Sequence, residues 1–223
     1  MFFLNEKTAL IAGSSGLVGN ELLHLLLEGK EYDKVYAVVR KPLFLNHPKL
    51  TEVVIDFDQL ENYQDYFAVD DVFSCLGTTI KKAKTKEAMY RVDVEYPLDI
   101  AELAYKKGAK QFLLVSSMNA NPNSSLFYPK IKGELEQEVA KLPFETVSLL
   151  RPSLLMGVRQ EFRFGEKIAG IILSGISFLF VGPLRKSKAI RGETVALAMY
   201  RIAQQGNKGI TIYLSDQLES IGN

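Results

Sequence analysis

The feature that most restricts how this chain can fold lies near its start. The compact apolar run Thr8–Ala12 passes directly into Gly13-Ser14-Ser15-Gly16-Leu17-Val18-Gly19, a glycine-punctuated turn. After it, Val18, Leu22, Leu23, Leu25 and Leu26 recur at helical spacing until Gly29. The same alternation continues downstream. Lys34–Val39, Glu52–Ile55, Asp71–Leu76, Gln111–Val115 and Glu145–Leu150 read as strands, and Val94–Lys107 and Lys130–Lys141 as helices. Strands separated by helices need crossover connections, which produce a parallel sheet covered on both faces. Right-handed crossovers make that sheet doubly wound, in the α/β class.

Composition narrows the function classes. The 223 residues carry 27 basic and 26 acidic side chains, a net charge of +1, which excludes a globally basic nucleic-acid binder and an acidic tail. One cysteine, Cys75, excludes an internal disulfide framework and a multi-cysteine zinc site, and points to a reducing compartment. The opening MFFLNEKTALIAG contains Glu6 and has no cationic start, so it does not read as an export signal, and a cytoplasmic location is expected. Length favours one domain over residues 1–223, with 151–223 contributing the substrate side. Within Arg151–Arg191, eight basic residues face two acidic ones.

The glycine loop carries the first chemistry. Gly13 permits the tight turn, Gly16 lets backbone N–H groups approach a pyrophosphate, and Gly19 lets the helix pack close to the strand. An anion there sits over the positive end of the helix dipole. The end of the second strand then separates the two nicotinamide cofactors. An NAD site usually carries Asp or Glu at that point, for the ribose 2′-hydroxyl. Here the strand ends Val38-Val39-Arg40-Lys41. Arg40 can fork onto a 2′-phosphate and Lys41 adds a point charge, so NADPH is expected over NAD.

A second constellation stands at the end of strand five. Ser116-Ser117-Met118 closes that strand, and Tyr128 lies eleven residues beyond Ser117 in Tyr128-Pro129-Lys130-Ile131-Lys132. Tyr128 and Lys132 are four apart and share one helical face, with Pro129 suited to the first turn. Tyrosine is a poor acid–base group at its free pKa near 10, and a neighbouring ammonium stabilises the phenolate. Tyr128 is therefore the proton carrier, Lys132 its tuning cation, and Ser117 the hydroxyl that holds a substrate oxygen, with Ser116 as the neighbouring alternative.

Taken together, GSSGLVG, VVRK, VVIDFD, SCLGTT, YRVD, LLVSS, FYPKIKGELE and LRPSLLMGVRQEFRFGE resemble the atypical short-chain dehydrogenase/reductases, specifically the Tat-interacting-protein-like oxidoreductases. The likeness runs from about Thr8 to Glu166. It implies an NADPH-binding Rossmann domain in which Ser15, Gly16, Leu17 and Val18 touch the phosphates and Arg40 and Lys41 hold the adenosine phosphate. It also implies that Leu76 and Gly77 line the cofactor, that Tyr128 and Lys132 transfer the proton, and that Leu155 and Arg163 close over the nicotinamide side. Leu17 and Val18 replace a polar pair of some relatives, and Met118 replaces a hydroxyl of many. The activity implied is NADPH-dependent reduction of a carbonyl, or oxidation of the alcohol. The rival readings are an NADPH-responsive regulator acting through a protein partner, and sugar-nucleotide epimerisation, which Arg40-Lys41 argues against.

Other features are weighed lower. Asp56 accepts from an adenine amine or caps the next segment. Only His24 and His47 offer imidazole, so no metal is expected. Cys75 reads as a small buried residue. The cluster Lys81, Lys82, Lys84 and Lys86 reads first as a mobile solvated loop, and second as a gate for a substrate anion. The uncharged run Ile168–Leu184 is broken by glycine and proline, so stable membrane insertion is not expected. It offers an apolar substrate wall or a homodimer face, ahead of a surface that touches lipid. The expected partner is a small molecule with an apolar part, and no nucleic acid.

Overall fold

The computed structural model describes residues 7–156 and 189–223. Strands β1 (Thr8–Ala12), β2 (Lys34–Val39), β3 (Leu50–Val54), β4 (Asp71–Ser74), β5 (Gln111–Val115), β6 (Thr146–Arg151) and β9 (Gly209–Leu214) form one seven-stranded sheet. Its order is β3-β2-β1-β4-β5-β6-β9, and every pairing is parallel. A two-residue pair, β7 (Leu155–Met156) with β8 (Ile190–Arg191), stands apart. The chain starts at the centre, winds outward to β3, then recrosses β1 to build the other half. That reversal between β1 and β4 leaves a crevice at the carboxyl ends of the strands, where such sheets bind ligands.

Strand alternation sorts the core into two layers. Leu10 and Ala12 face one cluster with Val72, Phe112 and Leu114, while Ala9 and Ile11 face the other with Phe73 and Leu113. The first layer is covered by α4 (Tyr96–Lys106) and α5 (Phe127–Val139), which contribute Ile100, Leu103, Ile131 and Leu135. The second is covered by α1 (Leu17–Glu28) and α6 (Gly192–Ala203), through Leu22, Leu23, Leu26, Val195 and Met199. A last helix, α7 (Ser215–Gly222), adds Leu218 to it. Each fully buried leucine of this kind stabilises the fold by about 1.5–3 kcal/mol.

Three local expectations are corrected. The helix read as Val94–Lys107 is an α-helix only from Tyr96, and Arg91–Glu95 before it is a π turn in which the Tyr96 N–H donates to the Arg91 carbonyl. Pro97 is the cause, because it lacks the N–H that a continuous α-helix would donate to the Asp93 carbonyl. The helix read as Lys130–Lys141 starts earlier, at Phe127, which puts Tyr128 and Pro129 in its first turn. The lysine cluster is not an irregular loop: α2 (Ile80–Ala83) and α3 (Lys86–Tyr90) are helical, capped by Thr79 accepting from the Lys82 N–H and Thr85 accepting from the Ala88 N–H.

Candidate active site

A cleft of about 510 Å³ opens over the reversal point. Its walls are the β1–α1 turn from Gly13 to Leu17, the end of β2 from Val38 to Arg40, and the turn after β4 from Cys75 to Thr79. Phe57, Val92 and Tyr96 supply its apolar side. The three glycines of the turn are there for different reasons. Gly13 has φ +86°, and a Cβ on it would stand 2.6 Å from the Cys75 carbonyl. A Cβ on Gly19 would meet the Gly13 carbonyl oxygen at 2.2 Å, so strand and helix approach too closely for any side chain. On Gly16 the nearest protein atom to a Cβ is 3.1 Å away. Gly16 is the N-cap of α1, and the helix has neither a capping side chain nor an acidic residue in its first turn. The positive end of its dipole therefore faces the cleft uncompensated.

The remaining residues implicated in cofactor binding divide by position. Ser15 and Leu17 line the cleft, whereas the Val18 side chain is 4% exposed in the core, leaving only its main chain to face a ligand. Arg40, Leu76 and Gly77 line it as well. Lys41 is exposed just beyond the lining. Asp56 takes its capping role: its carboxylate accepts from the Asp58 N–H at 3.0 Å and from Gln59 Nε2 at 3.3 Å. Leu155 packs against the second core layer, outside the cleft lining. Arg163 and the run Ile168–Leu184 lie outside the described residues.

The two serines at the end of β5 separate cleanly. Ser116 is buried and its hydroxyl donates to Glu136 Oε1 at 2.5 Å, while Glu136 is also held by Arg151 Nε at 3.0 Å and Nη2 at 2.5 Å. Ser116 is thus committed to a structural network, and Ser117 is the half-buried hydroxyl that remains. The loop after it is tied to α5, since the Asn121 N–H donates to the Pro129 carbonyl and a Cβ on Gly133 would meet Pro122 N at 2.2 Å. Tyr128 and Lys132 share one face of α5, with Lys132 Nζ 6.0 Å from the Tyr128 ring centroid. Lys132 is 1% exposed, and its ammonium is paired with a carboxylate oxygen 3.0 Å from Nζ.

One residue near the site escaped sequence reasoning. Asp93, fully buried in the π turn, lies 3.0 Å from Lys132 Nζ through Oδ1 and accepts from the Thr78 N–H through Oδ2 at 2.8 Å. Its partners are 15 and 39 positions away along the chain, so no local spacing signals the pairing. Cys75 lines the cleft, but burial pushes its thiol up to about 12, which suppresses the reactive thiolate. Among the described residues no group of three or more His, Cys, Asp or Glu is placed to hold a metal. No helix of the described residues is long and apolar enough to cross a membrane.

Comparison with known proteins agrees with this geometry. The profile of the NAD dependent epimerase/dehydratase family matches residues 9–218. Protein HTATIP2 of Rattus norvegicus is 40% identical over 172 residues, covering 75% of this chain and 71% of that one. The mitochondrial protein FMP52 of Eremothecium gossypii is 31% identical over 219 residues, covering 96% and 91%. In three dimensions, MoeE5 in complex with UDP-glucose and NAD superimposes with a TM-score of 0.69 at 18% identity, over 96% of this chain and 80% of that one. The UDP-glucose 4-epimerase of Thermotoga maritima gives 0.67 at 16% identity, over 96% and 80%. At those identities the two structures speak for the fold alone. With its doubly wound sheet, its glycine turn and these relatives, the chain belongs to the NAD dependent epimerase/dehydratase family, as an atypical short-chain dehydrogenase/reductase with a Rossmann fold.

Proposed function

We propose that this protein is an NADPH-dependent oxidoreductase that reduces a carbonyl, or oxidises the matching alcohol, of a small molecule with an apolar part. A nicotinamide dinucleotide fits the residues present: the uncapped start of α1 and the Gly16 backbone suit a pyrophosphate, and Phe57, Val92 and Tyr96 suit an adenine ring. Arg40, at a strand end without a carboxylate, favours a 2′-phosphate over a free 2′-hydroxyl. Bound there, the nicotinamide supplies or accepts the hydride. The protein's own groups do the rest. Tyr128 gives or takes the proton at the substrate oxygen, Lys132 holds the nicotinamide ribose and stabilises the phenolate, and Ser117 donates a hydrogen bond to that oxygen.

The observation that carries the reading is Lys132: a 1% exposed ammonium whose charged partner among the described residues is Asp93 Oδ1 at 3.0 Å, on the same helix face as Tyr128 and at the carboxyl ends of the strands, as the bare helix end is. A buried ammonium with unused donors suits a ribose hydroxyl. Tyr128→Phe tests it. With NADPH and a panel of aldehydes and ketones, the variant should lose about 10²-fold or more in turnover while NADPH affinity stays within about twofold. Unchanged turnover would reject the assignment. Titration with NADPH and NADH should favour NADPH by about tenfold or more, and equal affinities would remove the role given to Arg40. The competing reading, a dinucleotide-responsive regulator with a protein partner, expects tight NADPH binding and no turnover across the panel. We place the protein in the cytoplasm on its single thiol; recovery of the tagged protein with mitochondria, the label carried by the FMP52 relatives, would overturn that.

A further inference from the structure

We infer that Lys82 and Lys86 form an anion subsite for the substrate, so that the carbonyl compound taken by this site carries a carboxylate or phosphate beside its apolar part. The inference rests on the functional reading above and names the substrate class of the same site.

The lysine cluster is positive charge beside the cleft that a dinucleotide leaves unused. In the proposed site Arg40 meets the 2′-phosphate and the bare start of α1 meets the diphosphate. Lys82 adds a second basic side chain to the cleft lining, on the wall after β4 with Thr78 and Thr79. Residues 72–86 hold four lysines and no carboxylate. The cluster has a fixed shape, since Thr79 caps α2, Thr85 caps α3, and Lys84 between them holds φ +71°, a conformation that strains a residue with a side chain. Such strain gathers at ligand-binding sites. α3 lies against α5: Lys86 Nζ stands 5.4 Å from the Phe127 ring centroid, and the Tyr90 hydroxyl donates to Glu134. Phe127 opens α5 and is the chain neighbour of Tyr128. The α2–α3 unit therefore runs from the cofactor cleft to the proton carrier, with Lys82 at one end and Lys86 against the other. Exposed apolar side chains accompany it, Ile80 at the start of α2 and Leu126 at the cap of α5. An ammonium is a compact charge with rotatable donors and suits a carboxylate or a phosphate. Both lysines are exposed, so water weakens their pull and the preference they confer is about tenfold rather than thousands.

The test adds two matched pairs to the aldehyde and ketone panel at saturating NADPH: para-carboxybenzaldehyde and para-formylphenyl phosphate, each against its neutral methyl ester. The wild type should favour the anionic member of at least one pair by about tenfold in kcat/KM, mainly through KM, and the pair that shows it separates carboxylate from phosphate. With Lys82→Gln and Lys86→Gln combined, that ratio should fall to within about twofold of unity, whereas Lys82→Arg with Lys86→Arg should keep it. Raising salt from about 50 mM to about 500 mM should lower the ratio in the wild type and leave it unchanged in the Gln double variant. Calorimetry separates a substrate role from a cofactor role: NADPH and 2′,5′-ADP should bind the Gln double variant within about twofold of the wild type, and a loss of about tenfold in either assigns the lysines to the cofactor and overturns the inference. A wild-type ratio near unity in both pairs, a preference that the Gln double variant keeps, or turnover of other panel members but of neither anionic aldehyde overturns it too. Each of those results leaves the oxidoreductase reading standing. If the wild type binds no NADPH, or turns over no member of the panel, the functional reading itself falls and the subsite with it.

Discussion

Two alanine substitutions in the same turn should fail in opposite ways. On Gly19 a Cβ would stand 2.2 Å from the Gly13 carbonyl oxygen and 2.7 Å from its carbon, both backbone atoms that cannot rotate away. The strain of such overpacking is about 3 kcal/mol at its upper end, and Ala regains about 1 kcal/mol in helix propensity over Gly. The balance is a loss of about 2 kcal/mol, or about 4–8 °C in melting temperature for a chain of this size. On Gly16 the one close atom is 3.1 Å away, and the backbone at φ −85° and ψ 173° is open to alanine. There the reduced freedom of the unfolded chain, about 0.4–1 kcal/mol, offsets the weaker N-cap, and stability without ligand should be nearly unchanged. In the proposed site NADPH affinity should instead fall by about tenfold, because the new methyl would stand between the main-chain amides and the phosphates. At a concentration 100 times the wild-type Kd, NADPH stabilises the wild type by about 2.7 kcal/mol and Gly16→Ala by only about 1.4 kcal/mol. Differential scanning calorimetry with and without NADPH reads both effects. Should Gly16→Ala keep the full ligand-induced shift, or Gly19→Ala melt with the wild type, the division of labour in the turn is wrong.

Glu136→Ala should lose about 2–3 kcal/mol, or about 4–12 °C by thermal melt, because it strands Arg151 and the buried Ser116 hydroxyl; the 22% exposure of Arg151 keeps the loss below that of a fully buried pair. Tyr32 is buried with its hydroxyl donating to Asp71, and burial followed by that carboxylate raises its phenol above the ordinary value near 10. The folded protein thus keeps a proton that the unfolded chain releases, so this contribution is complete below about pH 10 and declines as pH rises past it. Alkaline melts of Tyr32→Phe should accordingly show a flatter decline than those of the wild type, and parallel curves would count against the network. With its thiol pushed up to about 12, Cys75 should react with a disulfide reagent at pH 8 more slowly in the native protein than after unfolding, by about tenfold or more, and comparable rates would contradict that shift.

Much of this protein is written in local order along the chain. Apolar runs broken by helical stretches admit only a crossover-connected parallel sheet, and Gly13, Gly16 and Gly19 at the first strand end mark the tight strand-to-helix turn that walls the cleft, because backbone conformation and close approach are properties of short segments. Tyr128 and Lys132 are legible for the same reason, being one helical turn apart. What the sequence could not supply are pairings across distant elements. That Ser116 is consumed by Glu136 and Arg151, leaving Ser117, depends on β5, α5 and β6 meeting at one edge. That Asp56 turns to its own backbone, and that Pro97 converts the preceding residues to a π turn, are settled by hydrogen-bond competition within the folded chain. The Asp93–Lys132 pair is the clearest case, since a buried charge finds its counter-charge only when packing has removed water from both, and nothing in the spacing of the two residues announces it.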